Sequence, residues 1–313
     1  MILSFSVFRN FGGYDISSQS FFLSLNEALG TKLSAPSRSS ICEARQKLSW
    51  EIFPYLLNKF NQSIKNELDT MKWRGHDVYA VDGSTLRLSY SVELKERFPD
   101  VGSGATKTHY PKARIVLATH MISGIPKTIR IDDQFIGERE LMQSLLGDLE
   151  DNSILLLDRG FDGIASLNTI INNNKKFICR VRSELWSSSE VYLFTKSKSQ
   201  EIIVTLQNKH KQEILVRLLK YKKDRNGNWI VLATNLFNKD TYSKADLWDL
   251  YARRWDIETT YYRVKTLLKV ESFHSKKMNG VLQEIWSAVL VLAMNSYLIL
   301  QSWSQKMKGI LKI

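Results

Sequence analysis

Two short apolar runs, each ending in an aspartate, constrain this chain more than any other feature. VYAVDGS closes at Asp82, and SILLLDRGF closes at Asp158. Apolar runs this short, bounded by turn signals, fit buried strands better than helices. LRLSYS, ARIVLATHMI, TIRIDDQF and KKFICRVRS read as further extended pieces. GERELMQSLLGDL and the segment from Asp162 to Asn172 have helical spacing. Strands with helices crossing between them predict an α/β sheet.

The flanks differ from this centre. The first third reads as helical. Ser40-x-x-Glu43 resembles a capping box opening ICEARQKL, and Ser49 can cap the segment that follows. Arg38, Arg45 and Lys47 form a basic cluster there. They are either the reading face of a small DNA-binding helical region or a solvated basic surface. Between 186 and 228, alternation in EVYLFTK, EIIVTLQ and EILVRLLKY predicts an inserted β-rich segment with a turn at Asn226-Gly227. WIVLATN is the strand leaving it. Ser243 then caps a long helix, KADLWDLYARRWDIETTYYRVKTLLK, and a final apolar helix runs from about Val281 to Trp303. The expected organisation is an N-terminal helical region over 1–72, a core over 73–185 and 229–313, and the insertion over 186–228.

Lys and Arg number 44 against 32 Asp and Glu, giving a formal charge of +12. A surface that basic favours polyanions, with double-stranded DNA foremost. Two distant cysteines and five scattered histidines exclude a disulfide framework and zinc spacing. The apolar run Ile285–Leu300 is shorter than the ~20 residues of a membrane span and is interrupted by Ser287, Asn295 and Ser296. A buried helix is expected instead, with no membrane partner. The N-terminus lacks the order of a signal peptide, so a cytoplasmic location is expected.

Aspartates at the carboxyl ends of two neighbouring strands stand at the edge where α/β sheets place their ligands. Facing carboxylates are costly unless a cation joins them, and Mg²⁺ takes hard oxygen ligands, few of them from protein. The plainer reading leaves Asp82 as the start of an Asp-Gly turn and Asp158 as a helix cap. The long helix adds weight to the first reading. Tyr251, Arg254, Glu258 and Lys265 point in directions of about 0°, −60°, −20° and −40° at roughly 100° per residue, which is one narrow stripe. Glu258 can supply a third carboxylate. Arg254, Lys265 and Tyr251 can grip phosphates through a bidentate fork, a point charge and a hydroxyl.

Tyr251-x2-Arg254-x3-Glu258-x6-Lys265, with VDGS and LLLDRGF before it, resembles the Tyr-Arg-Glu-Lys signature of a large family of DDE-type bacterial insertion-sequence transposases. The resemblance covers roughly 78 to 275. It implies a ribonuclease-H-like core in which Asp82, Asp158 and Glu258 are catalytic and hold two Mg²⁺ ions, with Mn²⁺ able to substitute. It implies a homodimer acting on paired transposon ends, nucleoid-associated in a bacterial cytoplasm, that cleaves DNA and transfers strands by cut and paste. It also implies that Trp229, on the strand leaving the insertion, stacks on a flipped base near the cleavage site. A strand Trp packed in the core is the plainer reading of that residue. Three rivals are disfavoured. A junction resolvase lacks the Tyr-Arg-Glu-Lys helix, and a non-catalytic domesticated relative is expected to have lost an acid. An aspartyl phosphatase would show Asp-x-Asp where this chain has Asp82-Gly83-Ser84. The helical region before the core is short for such a family.

Overall fold

The protein is described from a computed structural model, over residues 14–100, 110–182, 190–208, 210–255 and 273–310. Four helices lead: α1 (Tyr14–Leu29), α2 (Arg38–Lys47), α3 (Ile52–Ser63) and α4 (Lys65–Asp69). The α2 cap is Ser37, not Ser40. The Ser37 hydroxyl accepts from the Ser40 backbone N–H, so the apparent capping box lies inside the helix it was meant to open. Ser49 accepts from the Glu51 backbone N–H just ahead of α3, whose own N-cap, Glu51, makes no side-chain cap bond.

The sheet follows. Its strands are β1 (Val78–Arg87), β2 (Lys112–His120), β3 (Pro126–Asp132), β4 (Ile154–Leu157), β5 (Lys176–Val181), β6 (Glu201–Gln207), β7 (Glu213–Lys223) and β8 (Trp229–Thr234). Interspersed are α5 (Val92–Arg97), α6 (Glu138–Leu145), α7 (Ile164–Asn172), α8 (Glu190–Lys196) and α9 (Lys244–Ala252), and α10 (Met278–Ile310) closes the described chain. All eight strands join one sheet in the order β3-β2-β1-β4-β5-β8-β7-β6. β1, β4 and β5 run parallel, while β2, β3, β8, β7 and β6 pair antiparallel with their neighbours.

Strand alternation divides the core in two. Val78, Ala80, Ile154, Leu156 and Ile178 point to the face covered by α3, α9 and α10, together with Phe53, Leu250 and Ile285. Tyr79, Val81, Leu155, Leu157 and Cys179 point to the other face, against Leu141 and Leu145 of α6 and Leu167 of α7. Both faces of the parallel strands are buried, which explains why their sequences read as unbroken apolar runs.

The region 186–228 differs from the expectation in two ways. EVYLFTK forms helix α8, with Val191 and Phe194 buried and Leu193 exposed at 63%. A seven-residue piece with so many apolar positions fits period 2 and period 3.6 equally well, and the i,i+3 pair decides the matter here. The strands β6 and β7 are real, and through β8 they extend the same sheet. Arg217 bridges this extension internally. It is 1% exposed, and it donates to the Glu201 carboxylate at 3.1 Å and to the carbonyls of Leu236 and Tyr242. Gly227 takes φ +77° in the β7–β8 turn, as the Asn-Gly pair predicts.

α10 is long and apolar enough by composition to cross a membrane over Met278–Ser302, yet 56% of its apolar window is buried inside the protein. That burial fits the core helix expected there. Arg45 pins α10 to α2, donating to Glu284 at 2.9 Å and to the Gly280 carbonyl at 3.3 Å.

Candidate active site

The last paired position between β1 and β4 is Val81 with Leu157. Asp82, inside β1, and Asp158, the residue after β4 ends, come next in the chain, so the parallel register sets them side by side. The period of two sends both towards the face that carries α9, because Ala80 and Leu156, two residues earlier, belong to that layer. Two hydrogen bonds fix the carboxylates. Asp82 Oδ1 accepts from the Gly83 backbone N–H at 2.9 Å, and Asp158 Oδ1 accepts from the Gly160 N–H at 2.7 Å. A Cβ on Gly160 would stand 2.9 Å from Asp158 Oδ1, so the turn needs glycine for that bond to form.

Burial pushes the Asp82 carboxyl up to about 6. The negative charges of Asp158 and Glu138 raise it further, and the Gly83 N–H and the Arg254 guanidinium oppose them. A buried carboxylate that resists ionising beside a second acid is the state that a divalent cation relieves. The donors at this strand edge are hard oxygens, which suits Mg²⁺ or Mn²⁺. Among the described residues no three of His, Cys, Asp and Glu stand together as a ready cage. The third expected acid, Glu258, lies outside the described residues, as does Lys265.

Tyr251 and Arg254 do come to this edge. Ser243 caps α9 by accepting from the Asp246 N–H, as its sequence predicts. The helix then tightens into a 3₁₀ turn over Arg253–Trp255, so the uninterrupted α-helix expected from 244 fails at that point. Side chains three apart eclipse in such a turn, and the pair stays together. The Arg254 guanidinium lies 5.8 Å from the centre of the Tyr251 ring. Tyr251 is 4% exposed and Arg254 6%. Burial pushes the Tyr251 hydroxyl up to about 12, so it keeps its proton.

Trp229 opens β8. β8 runs antiparallel to β5, which places Trp229 at the same end of the sheet as Asp158, packed against the core layer of α6 and α7. The ring is half-buried, with the ammonium groups of Lys220 and Lys223 at 5.3 Å and 5.6 Å from its centre. The hairpin tip is tied to β5 by Arg180, which donates to Asp224 at 2.9 Å. The N-terminal basic residues lie elsewhere. Arg38 and Lys47 are exposed on α2, while Arg45 is committed to α10.

Asp162 departs from the expectation. It precedes α7 instead of lying on it, and it is 2% exposed. Its carboxylate accepts from Arg139 at 3.0 Å, and from the Arg182 backbone N–H, Nε and Nη2 at 2.9, 3.1 and 2.9 Å. Arg139 also donates to the Gly160 carbonyl at 2.7 Å. This knot joins α6, the loop after Asp158 and the end of β5. It was illegible in sequence, because Arg139 and Arg182 are surface-type residues with no periodicity to mark them. Asp162→Asn removes the charge that answers two guanidinium groups. Both arginines reach solvent, so the expected loss is about 1–3 kcal/mol, read as a drop in thermal midpoint of several degrees for a chain this size. An unchanged midpoint would show that the knot is ornamental.

The family described as Transposase DDE domain matches residues 73–294, a span that takes in both aspartates, Tyr251 and Arg254. The chain belongs to that family. Transposase InsG for insertion sequence element IS4, from Escherichia coli strain K12, is 24% identical over 281 residues, covering 87% of this chain and 63% of its own length. Putative transposase InsZ from the same organism is 28% identical over 126 residues, covering 40% of this chain and 42% of its own length. The chain therefore spans less than two thirds of either relative. A solved piggyBac transposase synaptic complex with hairpin DNA overlaps 94% of this chain and 64% of its own, with a TM-score of 0.45 and 10% identity.

Proposed function

We propose that this chain is a DNA transposase that binds insertion-sequence ends, cleaves them with divalent metal ions and transfers the freed strands to target DNA by cut and paste. One observation carries the reading. Asp82, midway along β1 where its pairing with β4 stops, and Asp158, directly after β4, lie side by side on the face that presents Tyr251 and Arg254, within the family-matched span. The strand order β3-β2-β1-β4-β5, with β2 antiparallel to β1, supports a ribonuclease-H-like core. β6 and β7 then belong to the segment inserted into it, and β8 is the strand leaving that segment.

In this reading Asp82, Asp158 and Glu258 hold two Mg²⁺ ions, with Mn²⁺ able to replace them. When bound, the ions activate the attacking oxygen and stabilise the leaving oxygen of a phosphodiester. Arg254 grips a non-bridging phosphate oxygen pair beside the scissile bond, and Lys265 adds a point charge. Tyr251, beside the Arg254 guanidinium, adds a hydroxyl to the same phosphate grip. Exposed Arg38 and Lys47 meet DNA outside the catalytic edge. Arg45 supports them indirectly by fixing α2 to α10. Paired ends call for a homodimer, and the substrate places the protein at the nucleoid of a bacterial cytoplasm.

Trp229 receives the base that leaves the stack when the nicked strand folds back, since an aromatic face at the catalytic edge accepts any base by stacking. Trp229→Ala should accumulate nicked ends and lose hairpin. Trp229→Phe should be milder. A time course on labelled ends decides, and a block of the first nick as complete as that of Glu258→Gln would return Trp229 to a packing role. The function itself is tested by incubating the chain with its element's ends, a target plasmid and Mg²⁺. Joined products support transposition. Nicking without joining indicates a nuclease.

A further inference from the structure

The β7–β8 hairpin carries an indole on each of its faces. Trp229 belongs to the layer of α6 and α7, while Trp248 of α9 packs with Tyr221 of β7 on the face covered by α3, α9 and α10. Both rings are half-buried, and both are built into the fold from below. Lys220 lies against Trp229 at 5.3 Å, buried and spent on the carbonyls of Phe194 and Ser197 at 3.1 and 2.7 Å. Tyr221 lies against Trp248, with ring centres 4.7 Å apart. An exposed lysine then reaches each indole: Lys223 stands 5.6 Å from the centre of Trp229, and Lys222 stands 5.6 Å from the centre of Trp248. Consecutive residues of a strand point to opposite faces, so these two lysines straddle the hairpin. Its tip is stiff. Asp224 accepts from the backbone N–H groups of Asn226 and Asn228 at 3.0 and 3.1 Å and from Arg180, which leaves Arg225 exposed at the turn.

An ammonium stays hydrated, so a ring that an exposed lysine reaches keeps one side open to water. A base stacked on an indole gains more than a solvated lysine does from the same face, and the displaced lysine then has a phosphate to pair with. A closed duplex hides the faces of its bases. Two indoles on opposite faces of one stiff hairpin therefore suit two separated strands. Trp229 lies at the end of the sheet that carries Asp158, and the Trp248 ring centre stands 6.5 Å from that of Tyr251, so both indoles border the candidate site. We propose that the β7–β8 hairpin is a wedge between the two strands of a DNA end. One strand places a base on Trp229 and the complementary strand places a base on Trp248, with Lys223 and Lys222 on their phosphates. The choice of DNA as ligand rests on the transposase reading above; the second stacking face at Trp248 goes beyond it.

The test is a fluorescence-anisotropy titration of the full-length chain in EDTA. The labelled probes are a blunt duplex and the same duplex carrying an oligothymidine arm on its 3′ strand, on its 5′ strand, or on both. Wild type should bind the two-armed fork about fivefold or more tighter than the blunt duplex. Trp229→Ala should lose the gain from one arm and Trp248→Ala the gain from the other, while Trp248→Phe, which keeps a stacking face, should retain most of it. Lys222→Glu changes an exposed position and leaves the core untouched. It should lose the arm that Trp229→Ala keeps, and it decides the matter if Trp248→Ala folds poorly. Equal affinity of wild type for fork and blunt duplex, loss of the same arm in the Trp229 and Trp248 variants, or both arms kept in Trp248→Ala and Lys222→Glu would overturn the wedge. Those results would leave transposition standing, since end joining with metal decides it. Arm binding as predicted from a chain that joins no ends would keep the wedge and remove transposition.

Discussion

Asp82→Asn, Asp158→Asn and Glu258→Gln should each lower end cleavage by about three orders of magnitude or more, while end binding stays close to wild type. The magnitude follows from what the carboxylates do. Charge developing on the attacking and leaving oxygens is met by cations, and a single preorganised electrostatic partner of this kind is worth about a hundred- to a thousandfold by itself. Losing a ligand costs more, because it displaces the ion. Binding survives because affinity for DNA comes mainly from phosphate contacts by Lys and Arg, of which a chain with formal charge +12 has a surplus. The asparagine variants keep the shape of the strand ends, since an amide oxygen can still accept from the Gly83 and Gly160 N–H groups. Gel-shift titration beside a denaturing-gel cleavage assay separates the two effects. A variant that loses binding and cleavage together would place its acid in the DNA interface instead.

The second large effect is on stability. The Asp82 carboxyl is raised from 3.8 to about 6 in the folded chain, first by burial and then by Asp158 and Glu138. The sign follows from linkage. Between those two values the folded state binds more protons than the unfolded state, so stability falls as pH rises through the window, and the whole penalty is present above about 6. A shift of about two units is worth up to roughly 3 kcal/mol, less whatever solvent screens at this partly exposed site. In EDTA at pH 7.5 Asp82→Asn should therefore melt several degrees above wild type, and the gap should close on acidification below pH 4. Mg²⁺ or Mn²⁺ should raise the wild-type midpoint and leave the variant unmoved, since an ion bound only by the folded chain stabilises by mass action. A variant that melts below wild type in EDTA would mean that Asp82 is held by favourable contacts, not crowded by acids.

Much of the site was legible because its chemistry lies on regular elements. The apolar runs before Asp82 and Asp158 were buried parallel strands, but β1 does not close at Asp82: it runs on through Gly83 to Arg87 because β2 goes on pairing with it, so the start of LRLSYS belongs to the same strand. Ser243 announced its helix through a cap, and the Asn226-Gly227 turn announced its hairpin. What escaped was nonlocal. Glu138 reads as one acid among several in a helix first turn, and its position against Gly83 depends on how α6 docks on β1. Asp162 reads as the start of a helix, and its burial depends on Arg139 and Arg182 arriving from other elements. EVYLFTK carries too little periodic information to choose between strand and helix. Ser37 beat Ser40 as a cap because the helix began three residues earlier than its apolar pattern did. The tightening at Arg253–Trp255 left no signature in a sequence whose spacing fits an even helix.

Strand joining tests the central claim most directly. Ends of the element supplied already cut, with free 3′-hydroxyls, are mixed with the chain, a supercoiled target and Mg²⁺, and the products are sequenced across the junctions. The account predicts covalent junctions between the 3′ ends and the target, absent with Asp82→Asn and absent in EDTA. Junctions that form with Asp82→Asn, or target nicking with no joined ends from a wild-type chain shown to bind those ends, would contradict it.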